Sequence, residues 1–253
     1  MVHRTALGAA IAAAAFVLAP IPQSAAGLGF VAAVKSTHPI AYYRLTAMSG
    51  PSEVGTSTYT AVGGVSPVAF SAASLCAPIS DPNIQCTLFD GTTGYFDTSQ
   101  VGGIRGAGSI MAWVHLNSRP ALKSRFDYIA GISEKANDFD LQFEPDNALR
   151  FYTAAGSNVA YTPPLASLEG EWHLVVATFN ASTGERAIYW DGKLGQKDTG
   201  GGRVGKTNEF SIGESKVFTG RFFDGDISDV ALWNTDLSAA MVANIYASRL
   251  NAP

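Results

Sequence analysis

This chain of 253 residues is poor in the residues and motifs on which catalysis and nucleic-acid binding most often rest. It holds two cysteines and four histidines, and no HExxH, GxSxG or CxxC motif occurs. Those absences leave no ready zinc site, nucleophile elbow or dithiol pair. The stretch GGIRGAGS from Gly102 lacks the GxGxxG order and a following helical pattern, so no phosphate cradle is expected. Charged residues are 15%, the net charge is −4 and the basic residues stand singly. A nucleic-acid partner therefore has no electrostatic support. There is no internal repeat, no low-complexity tract, and no long apolar run beyond the N-terminal one.

That N-terminal run is informative. Arg4 precedes an uncharged stretch from Ala6 to Ala19, followed by the small residues Ser24, Ala25 and Ala26. The run falls short of the ~20 apolar residues a membrane span needs. Residues 1–26 are therefore expected to be a signal peptide cleaved after Ala26. Residues 27–253 are expected to form one domain, secreted, extracellular or periplasmic, with no stable membrane insertion after leader removal. Cys76 and Cys86 lie ten positions apart in a turn-rich segment, CAPISDPNIQC. In an exported protein that spacing predicts a disulfide, which stabilises by about 2–3 kcal/mol in the chain-entropy model.

Along the rest of the chain the hydrophobic period is two, with β-branched and aromatic residues bounded by Gly, Asp, Asn and Pro. Ile110, Ala112, Val114 and Leu116 share one face, while Met111, Trp113 and His115 share the other, as in an inner strand. Phe139, Leu141 and Phe143 alternate with Asp140 and Gln142, and PDN at Pro145 turns into the next strand, which reads as a hairpin with one wet face. Leu174–Phe179 and Ala187–Trp190 form another pair, and Asp191-Gly192 suits a type I′ turn. Gly200–Gly205 reads as a loop. At the end the period changes: Leu237, Met241, Val242, Ile245 and Leu250 fall at helical spacing behind a Ser238 N-cap. The fold class expected is all-β, an antiparallel two-sheet jelly-roll sandwich with a short C-terminal helix.

Seven segments in order carry a family resemblance. HPIAYYRLTAMSG from His38, FDGTTGYFDTS from Phe89, MAWVHL from Met111, GEWHLVVATFN from Gly170, YWDGKL from Tyr189, FSIGES from Phe210 and RFFDGDISDVALWNTDLSAAMV from Arg221 resemble the laminin-G-like jelly-roll family of the concanavalin A-like lectins and glucanases. Tyr43 stands where the family opens on Trp. Ser228 stands where its GxIDEV strand carries the first carboxylate.

The resemblance raises two questions of chemistry. Many relatives bind calcium, which takes six to eight oxygens, and the candidates here are Asp224, Asp226 and Asp229. No resident cofactor is expected, with calcium left open at those three residues. Retaining glucanases of this broad fold carry their acids on one strand, and the nearest match is the row Asp138, Asp140 and Glu144. Alternate strand residues start ~6.6 Å apart, whereas a retaining pair needs carboxyl groups about 5–5.5 Å apart. No catalytic residue is assigned on that basis. His173, beside Trp172, is expected to make a structural hydrogen bond, and Asn180-Ala181-Ser182 to form a turn. Trp113, Trp172, Trp190 and Trp233 are expected in the core, leaving Tyr152 and Tyr161 as candidates for a binding rim.

Three functions stay open. The first is an exported, non-enzymatic module that binds glycan or another extracellular surface. The second is a structural or protein-interaction role in an envelope or matrix. The third is a divergent glycoside hydrolase using Asp138, Asp140 or Glu144.

Overall fold

The computed structural model describes residues 27–68, 76–81, 84–99, 101, 103–104, 106–132, 138–153, 157–200 and 210–253. The leader expected at 1–26 and the glycine-rich stretch beyond Gly200 lie outside the described residues. In chain order the elements begin with α1 (Phe30–Ser36), β1 (Ala41–Tyr43), β2 (Ser49–Pro51), β3 (Thr58–Val62), β4 (Val65–Val68), β5 (Cys86–Asp90), β6 (Tyr95–Thr98) and β7 (Ala107–Leu116). They continue with α2 (Pro120–Lys123), β8 (Asp127–Ile132), β9 (Phe139–Phe143), β10 (Leu149–Thr153), β11 (Asn158–Tyr161) and β12 (Trp172–Asn180). The last are β13 (Glu185–Trp190), β14 (Lys193–Asp198), β15 (Ser211–Ile212), β16 (Asp224–Trp233) and α3 (Ala239–Ser248).

Two antiparallel eight-stranded sheets result. The first runs β14-β13-β12-β7-β16-β5-β4, with β1 also paired to β16; the second runs β11-β10-β9-β8-β15-β6-β3-β2. Alternation explains the layering. From β7, Ile110, Ala112, Val114 and Leu116 enter the core between the sheets, while Met111 and Trp113 enter a second apolar layer on the far side of the first sheet. β12 divides in the same way, Val175, Ala177 and Phe179 inward and Leu174 and Val176 outward. Each such large apolar side chain, fully buried, contributes about 1.5–3 kcal/mol over its exposed state.

The second layer is closed by helices. Phe30 of α1 and Tyr246 of α3 both lie against Trp113, with ring centroids 6.1 and 6.0 Å away. Cys76 and Cys86 are joined by a disulfide, with Cα atoms 5.4 Å apart, and pack into this layer. The ends of the described chain meet there: Asn251 Nδ2 donates to the Leu28 carbonyl at 2.9 Å, and a Cβ on Gly29 would lie 2.7 Å from Pro253 Cα.

Turn chemistry follows the sequence closely. Asp191 and Gly192 both have positive φ, 50° and 77°, and join β13 to β14 as a type I′ turn requires. Asn147, at φ 65°, closes the β9–β10 turn. Ser238 caps α3, its hydroxyl oxygen accepting from the Met241 amide. Three expectations change. α1 is a helix the period did not show. In α3 Val242 and Ile245 are buried but Met241 is 36% and Leu250 66% exposed, because one turn of the stripe suffices to cover the sheet. β9 is buried on both faces, since the loop after β15 folds back over its polar side.

Candidate functional site

The outer face of the second sheet carries a connected set of polar side chains. On β9 and just beyond it, Gln142 and Glu144 point away from the core residues Phe139, Leu141 and Phe143. On β10, Arg150 and Tyr152 stand opposite Gln142 and Asp140. Gln142 Nε2 donates to Glu144 Oε1 at 3.3 Å, and the Tyr152 hydroxyl donates to that same oxygen. Arg150 meets Glu144 Oε2 at 2.8 Å and grips both oxygens of Asp146, at 2.9 and 2.7 Å. Burial, then the Glu144 carboxylate, push the Tyr152 hydroxyl well above its ordinary range, so it remains a neutral donor. The Arg150 fork holds the Asp146 carboxyl below its usual range.

The network continues onto the loop between β15 and β16. Glu214 bridges Phe222 and the Phe223 amide donates to the Gly213 carbonyl, so the loop closes on itself as a small hairpin. From that hairpin Arg221 reaches back and donates from Nη1 to Gln142 Oε1 at 3.0 Å. Its guanidinium lies between two rings, 4.0 Å from the Phe126 centroid and 4.2 Å from that of Phe218. Such stacking suits a planar, weakly hydrated cation. Phe218 is 37% exposed. Nearby, Lys216 sits 3.7 Å over the Tyr95 ring and pairs with Asp97. Phe126, Phe218 and Arg221 were not singled out in the sequence, because each draws its meaning from contacts across the fold.

The carboxylate row expected on one strand is only partly joined. Glu144 is committed to Tyr152, Gln142 and Arg150, while Asp138 and Asp140 are buried, at 5% and 4% exposure. Tyr152 belongs to the face. Tyr161 does not: it packs against the core beside Trp190, centroids 6.1 Å apart.

The three aspartates considered for calcium are dispersed. Asp224 is met by Lys123, by Asn117 at 2.9 Å and by Arg125 at 3.6 Å. Asp226 faces His115, 3.2 Å from its Nδ1. Asp229 occupies a bulge in β16 with φ 52° and is fully enclosed, accepting from the Tyr42 and Ser228 hydroxyls with Arg44 at 3.7 Å. Burial pushes its carboxyl up. Cations already sit beside two of these groups, Lys123 and Arg125 at Asp224 and Arg44 at Asp229. Among the described residues no three His, Cys, Asp or Glu side chains gather to hold a metal ion.

The remaining candidates are structural. Trp113, Trp190 and Trp233 are buried, and His173 is fixed between Asp191 and the Ser167 carbonyl, at 2.8 Å each. Trp172 is half-buried against the outer apolar layer. A cleft of about 270 Å³ opens between α1, Ser80–Asp81 and Pro253. Its two charged groups are already paired, Lys35 with Glu53 and Asp81 with Arg44, which leaves little directed polarity.

The architecture is shared with binding domains of known structure. The receptor-binding domain of botulinum neurotoxin C/D mosaic serotype superposes with a TM-score of 0.64 at 12% identity, over 83% of this chain and 51% of that one. The binding domain of botulinum neurotoxin serotype G gives 0.62 at 13% identity, over 83% and 50%. Domain 4 of AbnA, an extracellular arabinanase from Geobacillus stearothermophilus, in complex with arabinotriose, gives 0.61 at 12% identity, over 82% of this chain and 98% of that one. The matched part of this chain spans about half the length of the toxin binding domains. No curated protein matches the chain. At these identities the likeness is one of fold. Residues 90–243, more than half of the chain, match the laminin-G-like family model described as "Concanavalin A-like lectin/glucanases superfamily", and the chain belongs to that family.

Proposed function

We propose that the protein is an exported, non-catalytic module that recognises carbohydrate on an extracellular surface through the outer face of its second sheet. The observation that carries this reading is the face itself, where the half-buried side chains of Arg221, Glu144, Arg150 and Tyr152 are held in place by one another and by the buried Gln142, beside the exposed ring of Phe218. Sugar recognition uses that combination: directional hydrogen bonds to hydroxyls and an aromatic face for the ring. The other broad face is sealed by α1, α3 and the disulfide segment. A general acid must hold a proton and hand it to a leaving group. Glu144 instead accepts from two donors and pairs with Arg150, which supports binding over hydrolysis. The arabinotriose complex of the arabinanase domain lends the sugar reading support at the level of fold. The disulfide suits an oxidising compartment, and no described helix is long and apolar enough to cross a membrane.

A glycan-array screen of the leader-processed protein, with calcium and with chelator, tests the reading. Binding to one sugar class is expected in both conditions, since the aspartates do not gather a cation site. A clean negative from folded protein sinks it and turns attention to a protein partner.

A further inference from the structure

The arginines of this fold are mostly neutralised by carboxylates. Arg44 pairs with Asp81, Arg119 with Glu169, Arg125 with Asp127, Arg150 with Asp146 and Arg186 with Asp198. Arg249 lies back on its own helix, over the Tyr246 ring and donating to the Tyr246 carbonyl. Arg221 differs from all of these. Among the described residues it has no carboxylate partner; Gln142 holds one edge, and Phe126 and Phe218 hold its two faces. The arginine nitrogens sealed from water without a hydrogen bond are the Nε atoms of Arg44, Arg119 and Arg125, and none belongs to Arg221. Arg221 is itself half-buried, and its remaining donors keep partial access to solvent.

A guanidinium held by three neighbours has lost much of its rotational freedom before any ligand arrives, and the donors not used by Gln142 suit a carboxylate. The exposed face of Phe218 lies alongside for a sugar ring. The rest of the face gives direction. Glu144 is an acceptor ringed by donors, which suits hydroxyls and repels a second anion. We propose that Arg221 is the anion-reading group of this face and that the carbohydrate bound is acidic, carrying a ring carboxylate as uronic and sialic acids do. This rests on the reading of the face as a carbohydrate site and narrows it to one class.

The test compares oligosaccharides of galacturonate, glucuronate and sialate, each beside its methyl ester, against the purified protein and its Arg221→Gln, Arg221→Lys and Phe218→Ala variants. The ester keeps the ring and removes the charge. The native protein is expected to favour at least one free acid over its ester by about tenfold or more, a margin that shrinks as salt rises. Arg221→Gln should erase the preference, and Arg221→Lys should keep only part of it because the fork is gone. Phe218→Ala should weaken acid and ester alike. Arg221 lies in a surface loop, and thermal melts of each variant verify the fold. Equal affinity for acid and ester, or a preference that survives Arg221→Gln, overturns the inference and leaves the carbohydrate reading standing. Failure of both acidic and neutral glycans to bind folded protein overturns the two together.

Discussion

His173 Nε2 lies 2.8 Å from the Ser167 carbonyl and Nδ1 2.8 Å from the Asp191 carboxylate, two acceptors that a protonated imidazole serves at once. Burial alone lowers the imidazole's proton affinity, but the Asp191 carboxylate and the Ser167 carbonyl outweigh it and the net shift is upward. A group whose folded pKa is raised contributes stability fully below its unfolded value, and that contribution disappears as pH rises through the folded value. The melting temperature is therefore expected to fall as pH climbs above the ordinary histidine value of 6.5, and His173→Gln should flatten that slope. At low pH the substitution should cost about 2 kcal/mol, in the range for hydrogen bonds to charged groups, measurable by urea unfolding. A structural role for His173 was legible in the sequence, from its place at the head of a strand. The environment of Asp229 was not, because a bulge between Ser228 and Ala231 breaks the alternation at that residue.

Among the elements, the long strands β7 and β12 declared themselves because both faces are apolar and the partition between two layers follows parity. α1 did not. Its N-cap is Gly29, which has no side chain to cap with, and seven residues are too few for a clear helical period. The β13–β14 hairpin offers a sharper test of how local signals and packing agree. Gly192 has φ 77°, and a Cβ there would come within 2.8 Å of Tyr246 Cβ on α3. Gly192→Ala is expected to cost more than about 1 kcal/mol. It should also loosen α3, which hydrogen exchange of the α3 amides would register as faster exchange than elsewhere; uniform protection would refute the coupling.

At the scale of the molecule, two sheets enclose one core and a helical layer encloses a second. The sandwich was legible in the sequence from seven ordered segments. The proposed ligand face was not, because Arg221 meets Gln142 across 79 positions and meets Phe126 from a different loop. Nothing in the spacing of those residues announces that they touch. The division into layers makes a prediction about the disulfide, whose two cysteines belong to the outer layer on the first sheet. The double variant Cys76→Ser, Cys86→Ser should lose about 2–3 kcal/mol in denaturant titrations. Its glycan profile should match that of the native protein, since the proposed ligand face lies on the other sheet.

One contact sets how the molecule meets its surroundings. Leu28 and Gly29 touch Asn251 and Pro253 on the helical side of the first sheet. Segments that extend from either end of the described residues leave from nearly the same spot on the outer side of the first sheet, whereas Arg221 stands on the outer side of the second. A tether there, whether an affinity tag on a sensor chip or a neighbouring module, holds the protein by its back and presents the proposed sugar-reading surface outward.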